Sequence, residues 1–304
     1  MIQSTESEFQ KNTINRLQNL GYDYLSGGDV ERASQKEVVL EDRLRKFLNK
    51  KYSELPEETV QEILVKVKSI HGARADLRNK NFHEMLVGGI EVASLATSQE
   101  GVVVSQDIYP DLQPRLPDLQ SQPPQVSHHI YLIDWENPEE NEFLIVNQFS
   151  ISGNNDRRPD IILFINGLPL VLFELKNPND SNTTVEGAFQ QIQHYRNDIP
   201  LLFDYNEIVI LSDGGVVGEP KEDTPKSHGS SHGMWSSSFE WYAPWKTIDG
   251  KLVEKFHTGA MKTLIEGLFP KERLLSYIRY FILFETSGDL NIKKGAKYHQ
   301  FFAV

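Results

Sequence analysis

The sequence contains no cysteine. A disulfide framework and thiolate metal sites are therefore excluded, and the chain suits a reducing compartment. No apolar run approaches the ~20 residues that span a bilayer, and the opening MIQSTESEF lacks the basic and apolar regions of a signal peptide. A soluble, cytoplasmic protein with no membrane contact is expected. Positive charge is scarce: 31 Lys and Arg stand against 43 Asp and Glu, a net charge of -12. Such a chain should hold nucleic-acid phosphates poorly by itself, unless a local basic patch hides in the average or partners deliver the polymer. Also missing is any Gly-x-x-x-x-Gly-Lys-Ser/Thr loop, whose backbone amides cradle nucleotide phosphates, so the chain as it stands is not expected to hydrolyse ATP.

What is present is organised around Arg157 to Lys176, RRPDIILFINGLPLVLFELK. Two apolar runs, Ile161 to Ile165 and Leu170 to Phe173, flank Asn166-Gly167, a dipeptide that accepts the positive φ angles of a tight turn. The pattern predicts a β-hairpin. Side chains alternate along a strand, so Glu174 and Lys176 project from one face and Leu175 from the other. Antiparallel pairing returns Glu174 to the end where Asp160 sits. Two carboxylates and an ammonium converge, and with the Leu175 carbonyl they offer hard oxygen ligands suited to Mg²⁺. Such a metal lowers the pKa of a water and steadies charge on a phosphate oxygen, while Lys176 adds a cation for the attacking water and the oxyanion. An exposed salt bridge at the end of a surface hairpin is the plainer alternative, and it would contribute little.

The 304 residues are 39% apolar, enough for one large or two modest domains. A first helix is predicted from about 6 to 20, with Thr5 and Glu8 at capping-box spacing. Two amphipathic helices follow within 36–70, then a short helix near Phe82 to Leu86 and a strand from Ile90 to Leu95. Residues 105–127 hold five prolines and read as an irregular excursion. Strands resume at His129 to Asp134, whose terminal Asp134 is a further candidate near the metal, and at Phe143 to Ile151. A helix from Val185 to Arg196 places Gln191 and Tyr195, four apart, on one face. Glu207 to Leu211 extends the sheet. Gly214 to Ser238, with HGSSHG, reads as a flexible loop in which zinc is not expected. The aromatics from Trp235 to Trp245 read as core more than as a base-stacking platform. Two helices broken at Pro270 run from Thr258 to Phe269 and from Lys271 to Glu285.

The hairpin resembles the PD-(D/E)xK nuclease signature. Together with IDWENPEENEFLIVNQFSI at 133–151, the Gln191-x-x-x-Tyr195 pair and the C-terminal KYHQFFAV, it resembles the N-terminal nuclease domain of the R (HsdR) subunit of type I restriction enzymes. That resemblance implies an α/β fold of restriction-endonuclease-like type, a mixed sheet of about five strands flanked by helices. It implies Mg²⁺-dependent hydrolysis of double-stranded DNA at Asp160, Glu174 and Lys176, supported by Gln191 and Tyr195, with little sequence preference of the domain's own. A glutamate of the first helix often reaches the metal in such nucleases, and here Glu6 is the better candidate because Glu8 serves the capping box. In the full-length enzyme, ATP-driven translocation and the specificity (S) and modification (M) subunits would act with this chain. Gln300 stands in the place of an adenine-reading residue. The expected division is 1–257 for the nuclease domain, with a helical insertion near 36–88, and 258–304 for a helical linker into a truncated motor. Two other readings are a non-catalytic docking module between motor and methyltransferase core, and a stand-alone restriction or repair nuclease.

Overall fold

A computed structural model describes residues 6–95, 125–177, 184–214, 229–251 and 260–304. Helix α1 (Glu6–Gln18) buries Thr13, Ile14 and Leu17 at helical spacing, and Gly21, at φ 82°, ends the turn that follows it. Thr5, the proposed partner of Glu8 in a capping box, lies outside the described residues. Strand β1 (Asp23–Ser26) precedes the two amphipathic helices that the periodicity predicts, α2 (Glu41–Lys51) and α3 (Glu57–Lys68). Helix α4 (Ala75–Gly88) is longer than the Phe82 to Leu86 stretch expected. Its inner face carries buried Asn79 and His83, and those polar residues interrupt the apolar period that would announce it.

Strands β2 (Ile90–Leu95) and β3 (Gln125–Ile130) form an antiparallel pair of their own. The strand expected at His129 to Asp134 therefore stops at Ile130 and does not enter the main sheet. Most of the proline-rich excursion lies outside the described residues. Strands β4 (Phe143–Asn147), β5 (Ile161–Ile165) and β6 (Leu168–Leu175) follow, then α5 (Val185–Asp198), α6 (Pro200–Tyr205) and β7 (Ile208–Ser212). Next comes β8 (Ser230–Gly233), within the stretch expected to be loop. It pairs with β7, which shields the apolar β7 from being an open edge.

The main sheet has six strands in the order β1-β4-β5-β6-β7-β8, with β1/β4 and β6/β7 parallel and the other pairs antiparallel. Every position of β5, β6 and β7 is buried, as expected of strands covered on both faces. Helix α1 and helix α7 (Ala260–Leu268) pack together on one face, where Phe173 meets Phe269 at a centroid distance of 5.3 Å. Helices α5 and α6 pack on the other. This is the mixed α/β architecture the sequence predicts, with β1 and β8 as strands it did not place and the His129 to Asp134 strand left outside the sheet.

Helix α8 (Lys271–Tyr280) ends five residues before the expected Glu285, and a hairpin of β9 (Ile282–Ser287) and β10 (Leu290–Gly295) replaces the rest, followed by the short α9 (Tyr298–Phe301). Gly288, at φ 60°, makes the turn. Residues 260–304 are thus helix pair plus hairpin, and they share the hydrophobic core with the sheet. The boundary expected at 257/258 falls within 252–259, outside the described residues.

Candidate active site

The site is built by the β5–β6 hairpin. Asn166 and Gly167 take φ angles of 51° and 82°, and Asn166 is fixed from its side chain: its Oδ1 accepts from Glu142 N, and its Nδ2 donates to Leu132 O and Asn141 Oδ1. At Gly167 a Cβ would lie 2.4 Å from Leu40 O. The turn therefore tolerates little substitution, and it sets the register. Ile161 pairs with Phe173, so the next residues outward, Asp160 and Glu174, come side by side at the open end of the hairpin.

The carboxylates are both enclosed, Asp160 at 9% and Glu174 at 3% exposure. Asp160 Oδ2 accepts from Leu175 N (2.8 Å), and Lys176 Nζ donates to Glu174 Oε1 (2.6 Å). Leu175 itself is fully buried, and strand alternation turns its side chain to the face opposite Glu174. Burial pushes the Asp160 carboxyl up to about 6, with the charge of Glu6 adding to the rise and the Leu175 amide and Lys176 opposing it. Burial pushes Glu174 up to about 7, and the Asp160 charge raises it further. One ammonium does not balance two carboxylates in a low-dielectric setting. Glu174 Oε2 has no hydrogen-bond partner. Unpaired buried oxygen next to a second carboxylate is the donor chemistry that Mg²⁺ takes. Among the described residues no group of three or more His, Cys, Asp or Glu that could hold a metal converges.

Helix α5 supplies the rest. The Thr184 side chain caps it by accepting from Gly187 N (3.1 Å). At its other end Asp198 pairs with Arg157 (2.6 Å) and accepts from Asn155 Nδ2 (2.6 Å), so the loop leading to Asp160 is tied to the helix. Tyr195 is 5% exposed. Burial raises its hydroxyl pKa, the charges of Glu174 and Asp160 add to the rise, and a hydrogen bond with Gln191 opposes it. Its hydroxyl and the Glu174 carboxylate influence each other's titration. Gln191, one turn earlier on the same helix face, is felt at the Tyr195 hydroxyl. Glu6, exposed at the start of α1, is close enough to Asp160 for its charge to be felt there.

Other candidates fall elsewhere. Asp134 sits at the turn end of the hairpin, opposite the carboxylates: it pairs with Lys51, and its backbone N–H donates to the same Asn141 that holds Asn166. It does not join Asp160 and Glu174. Gln300 is exposed on α9, where its Oε1 accepts from Lys297 N (2.8 Å). It lines a cavity of about 450 Å³ with Tyr277, Tyr280 and Lys297, and the lining includes none of the Asp160 cluster. His232 is buried, with its Nε2 3.1 Å from Ala296 O, and serves packing; His228 lies outside the described residues. Of the aromatics, Trp235 and Trp245 are each 2% exposed and belong to the core, whereas Trp241 is exposed. Two residues that sequence reasoning missed touch Asp160, namely Gln10 and Gln148.

A family pattern described as "Type I restriction enzyme R protein N terminus (HSDR_N)" matches residues 3–113 and 116–226. Both the hairpin and the Gln191-Tyr195 helix fall inside it. The chain belongs to this family. It is similar to the type I restriction enzyme HindI endonuclease subunit of Haemophilus influenzae, 32% identical over 311 residues covering 98% of this chain and 26% of that protein. It is also similar to the putative type I restriction enzyme MjaIXP endonuclease subunit of Methanocaldococcus jannaschii, 28% identical over 312 residues, with 96% of this chain and 26% of that protein covered. The chain thus spans about a quarter of the length of these curated relatives. In this family member the charged side chains of Asp160, Glu174 and Lys176 stand together beside the Tyr195 hydroxyl. No helix among its described residues is long and apolar enough to cross a membrane.

Proposed function

We propose that the chain is the nuclease domain of a type I restriction enzyme R subunit, and that it hydrolyses phosphodiesters of double-stranded DNA with Mg²⁺ as cofactor. The observation that carries this reading is the buried, negatively unbalanced cluster: two carboxylates with raised pKa, one lysine, and an unpaired Glu174 Oε2. A cluster kept only for docking has no use for that imbalance, which costs stability unless a cation joins it.

Asp160, Glu174 and the Leu175 carbonyl are the groups that would hold the metal. Bound there, Mg²⁺ supplies a water of lowered pKa and positive charge toward a non-bridging phosphate oxygen. Lys176, 2.6 Å from Glu174 in the resting chain, is the group that then orients the attacking water and stabilises the charge building on the phosphate. Water oxygen bonds to phosphorus as its proton passes to solvent, the bond to the departing sugar oxygen breaks, and that oxygen takes up a proton from a second water. Tyr195, supported by Gln191, limits where the Glu174 carboxylate can turn, and Glu6 adds negative charge at the mouth of the site.

In the full-length enzyme the domain would act beside an ATP-driven translocase, with S and M subunits delivering DNA to an acidic chain that grips it weakly. Residues 1–257 would form the nuclease domain, including the helices inserted near 36–88, with 258–304 leading toward the motor and Gln300 toward its nucleotide. The cytoplasm is the matching compartment. The test is double-strand cleavage by the assembled enzyme carrying Asp160→Ala, Glu174→Ala or Lys176→Ala. Each should lose cleavage and keep ATP hydrolysis, and near wild-type cleavage by any one would remove that residue from the mechanism.

A further inference from the structure

Asp160 is held by more than its hairpin. Immediately after β4, Gln148 has φ 51°, and besides Asn166 of the hairpin turn it is the only non-glycine with positive φ among the described residues. Glutamine does not favour that left-handed backbone, which sits at functional sites when surrounding structure imposes it. Here the imposing structure is visible. Gly27 lies against the 147–148 backbone so closely that a Cβ on it would fall 2.4 Å from Gln148 O and 2.6 Å from Asn147 O.

The twisted residue makes two bonds to one partner. Gln148 N donates to Asp160 O (3.0 Å), and Gln148 Nε2 donates to Asp160 Oδ1 (3.3 Å). From α1, Gln10 Nε2 adds a second bond to the Asp160 carbonyl (2.9 Å), and Gln10 Oε1 lies 3.5 Å from Asn147 Nδ2. Since Oδ2 already accepts from Leu175 N, each oxygen of the carboxylate receives one neutral N–H and keeps a lone pair for a cation. We propose that Gln148, seated on Gly27 and backed by Gln10, is a positioning residue that fixes the Asp160 carboxylate in the orientation in which it takes the metal. Neither amide carries charge, so they orient Asp160 without competing for the ion. Groups that orient metal ligands in this way typically contribute about 10 to 100-fold in metal affinity or activity.

This inference rests on the metal-binding reading of Asp160, and the experiment separates the two. Gln148→Gly removes the amide and is at ease at positive φ; Gln148→Asn also accepts that backbone but is one methylene too short to reach Oδ1. Mn²⁺ binding to the chain is measured by calorimetry, thermal melting is measured without metal, and the Mg²⁺ midpoint for cleavage is measured in the assembled enzyme, with Asp160→Asn alongside. The expected result is about tenfold or greater weakening of Mn²⁺ binding for both Gln148 variants, a cleavage midpoint moved to higher Mg²⁺, and melting within a few degrees of wild type. Wild-type Mn²⁺ affinity in folded Gln148→Gly and Gln148→Asn, whether or not melting falls, overturns the proposal while leaving Asp160 as ligand. If Asp160→Asn binds Mn²⁺ as wild type does, the reading beneath it fails as well.

Discussion

Two buried ionic clusters in this chain use the same residue types and come out opposite. In one, Glu207 and Lys293, both fully buried, pair at 2.5 Å, and His83 Nδ1 approaches the same Glu207 oxygen at 2.9 Å. Burial pushes the Glu207 carboxyl up, but Lys293 and His83 outweigh it and leave the pKa below the ordinary carboxylate value. In the other, Glu174 has a lysine at 2.6 Å yet sits at about 7, because burial and Asp160 outweigh Lys176. Each glutamate leaves one oxygen unpaired, Oε1 of Glu207 and Oε2 of Glu174. Hydrogen-bond count therefore does not separate them. Charge balance does: one carboxylate against one lysine makes a closed pair between β10 and the sheet, and two carboxylates against one lysine leave an excess of negative charge.

That contrast can be broken from either side. The largest expected stability effect is Lys293→Ala, which strands Glu207 in the core and should cost about 3–5 kcal/mol of folding stability, read by denaturant unfolding. A loss below about 1 kcal/mol would mean the pair is not closed. Lys176→Ala, by comparison, should cost less stability than Lys293→Ala, because Glu174, already at about 7, can take up a proton, while cleavage falls by about 10²–10³-fold. An unfolded Lys176→Ala chain would place that lysine in the structural class with Lys293.

The pH response comes next in size. Asp160 and Glu174, at about 6 and about 7 in the folded chain, lie above their unfolded values of 3.8 and 4.5. Their contribution to metal-free stability is thus fully present below about pH 4 and is lost as pH rises through 6 and 7. Asp160→Asn removes one charge of the unbalanced pair, so at pH 8 without divalent metal it should be more stable than wild type by about 1–3 kcal/mol, with the gap closing by pH 4. Equal melting of the two proteins at pH 8 would show that the carboxylates are not repelling each other.

The smallest effect expected is that of Tyr195→Phe, which deletes one hydroxyl beside Glu174. Cleavage should fall by about 10 to 100-fold with melting nearly unchanged, whereas Tyr195→Ala should also lose stability through packing. A fully active Tyr195→Phe enzyme would remove the hydroxyl from the site and leave only its ring in the comparison.

Much of the open cluster was legible in the sequence, and little of the closed one. Asn166-Gly167 announces its turn, strand alternation then assigns Glu174 and Lys176 to one side, and a four-residue spacing brings Gln191 and Tyr195 to one helix face. Lys293 and Glu207 carry no such signal, since each looks like a surface charge until β10 is laid against α4. The β9–β10 hairpin itself was hidden because Leu275, Ile278 and Ile282 continue the helical period of α8; the Ser287-Gly288-Asp289 turn was the available clue. Gln148 was hidden for a different reason. Its role depends on a positive φ enforced by Gly27, a contact between segments some 120 positions apart that no local pattern reports.

The central claim, that the unbalanced cluster is a metal site, is tested most directly by an anomalous-difference map of the chain crystallised with Mn²⁺ at about pH 8, above the pKa of both carboxylates. A peak shared by the Asp160 and Glu174 carboxylates, lost in Asp160→Asn, is the result predicted. An ion bound elsewhere, or none at saturating Mn²⁺ while Lys176 stays on Glu174, would contradict it.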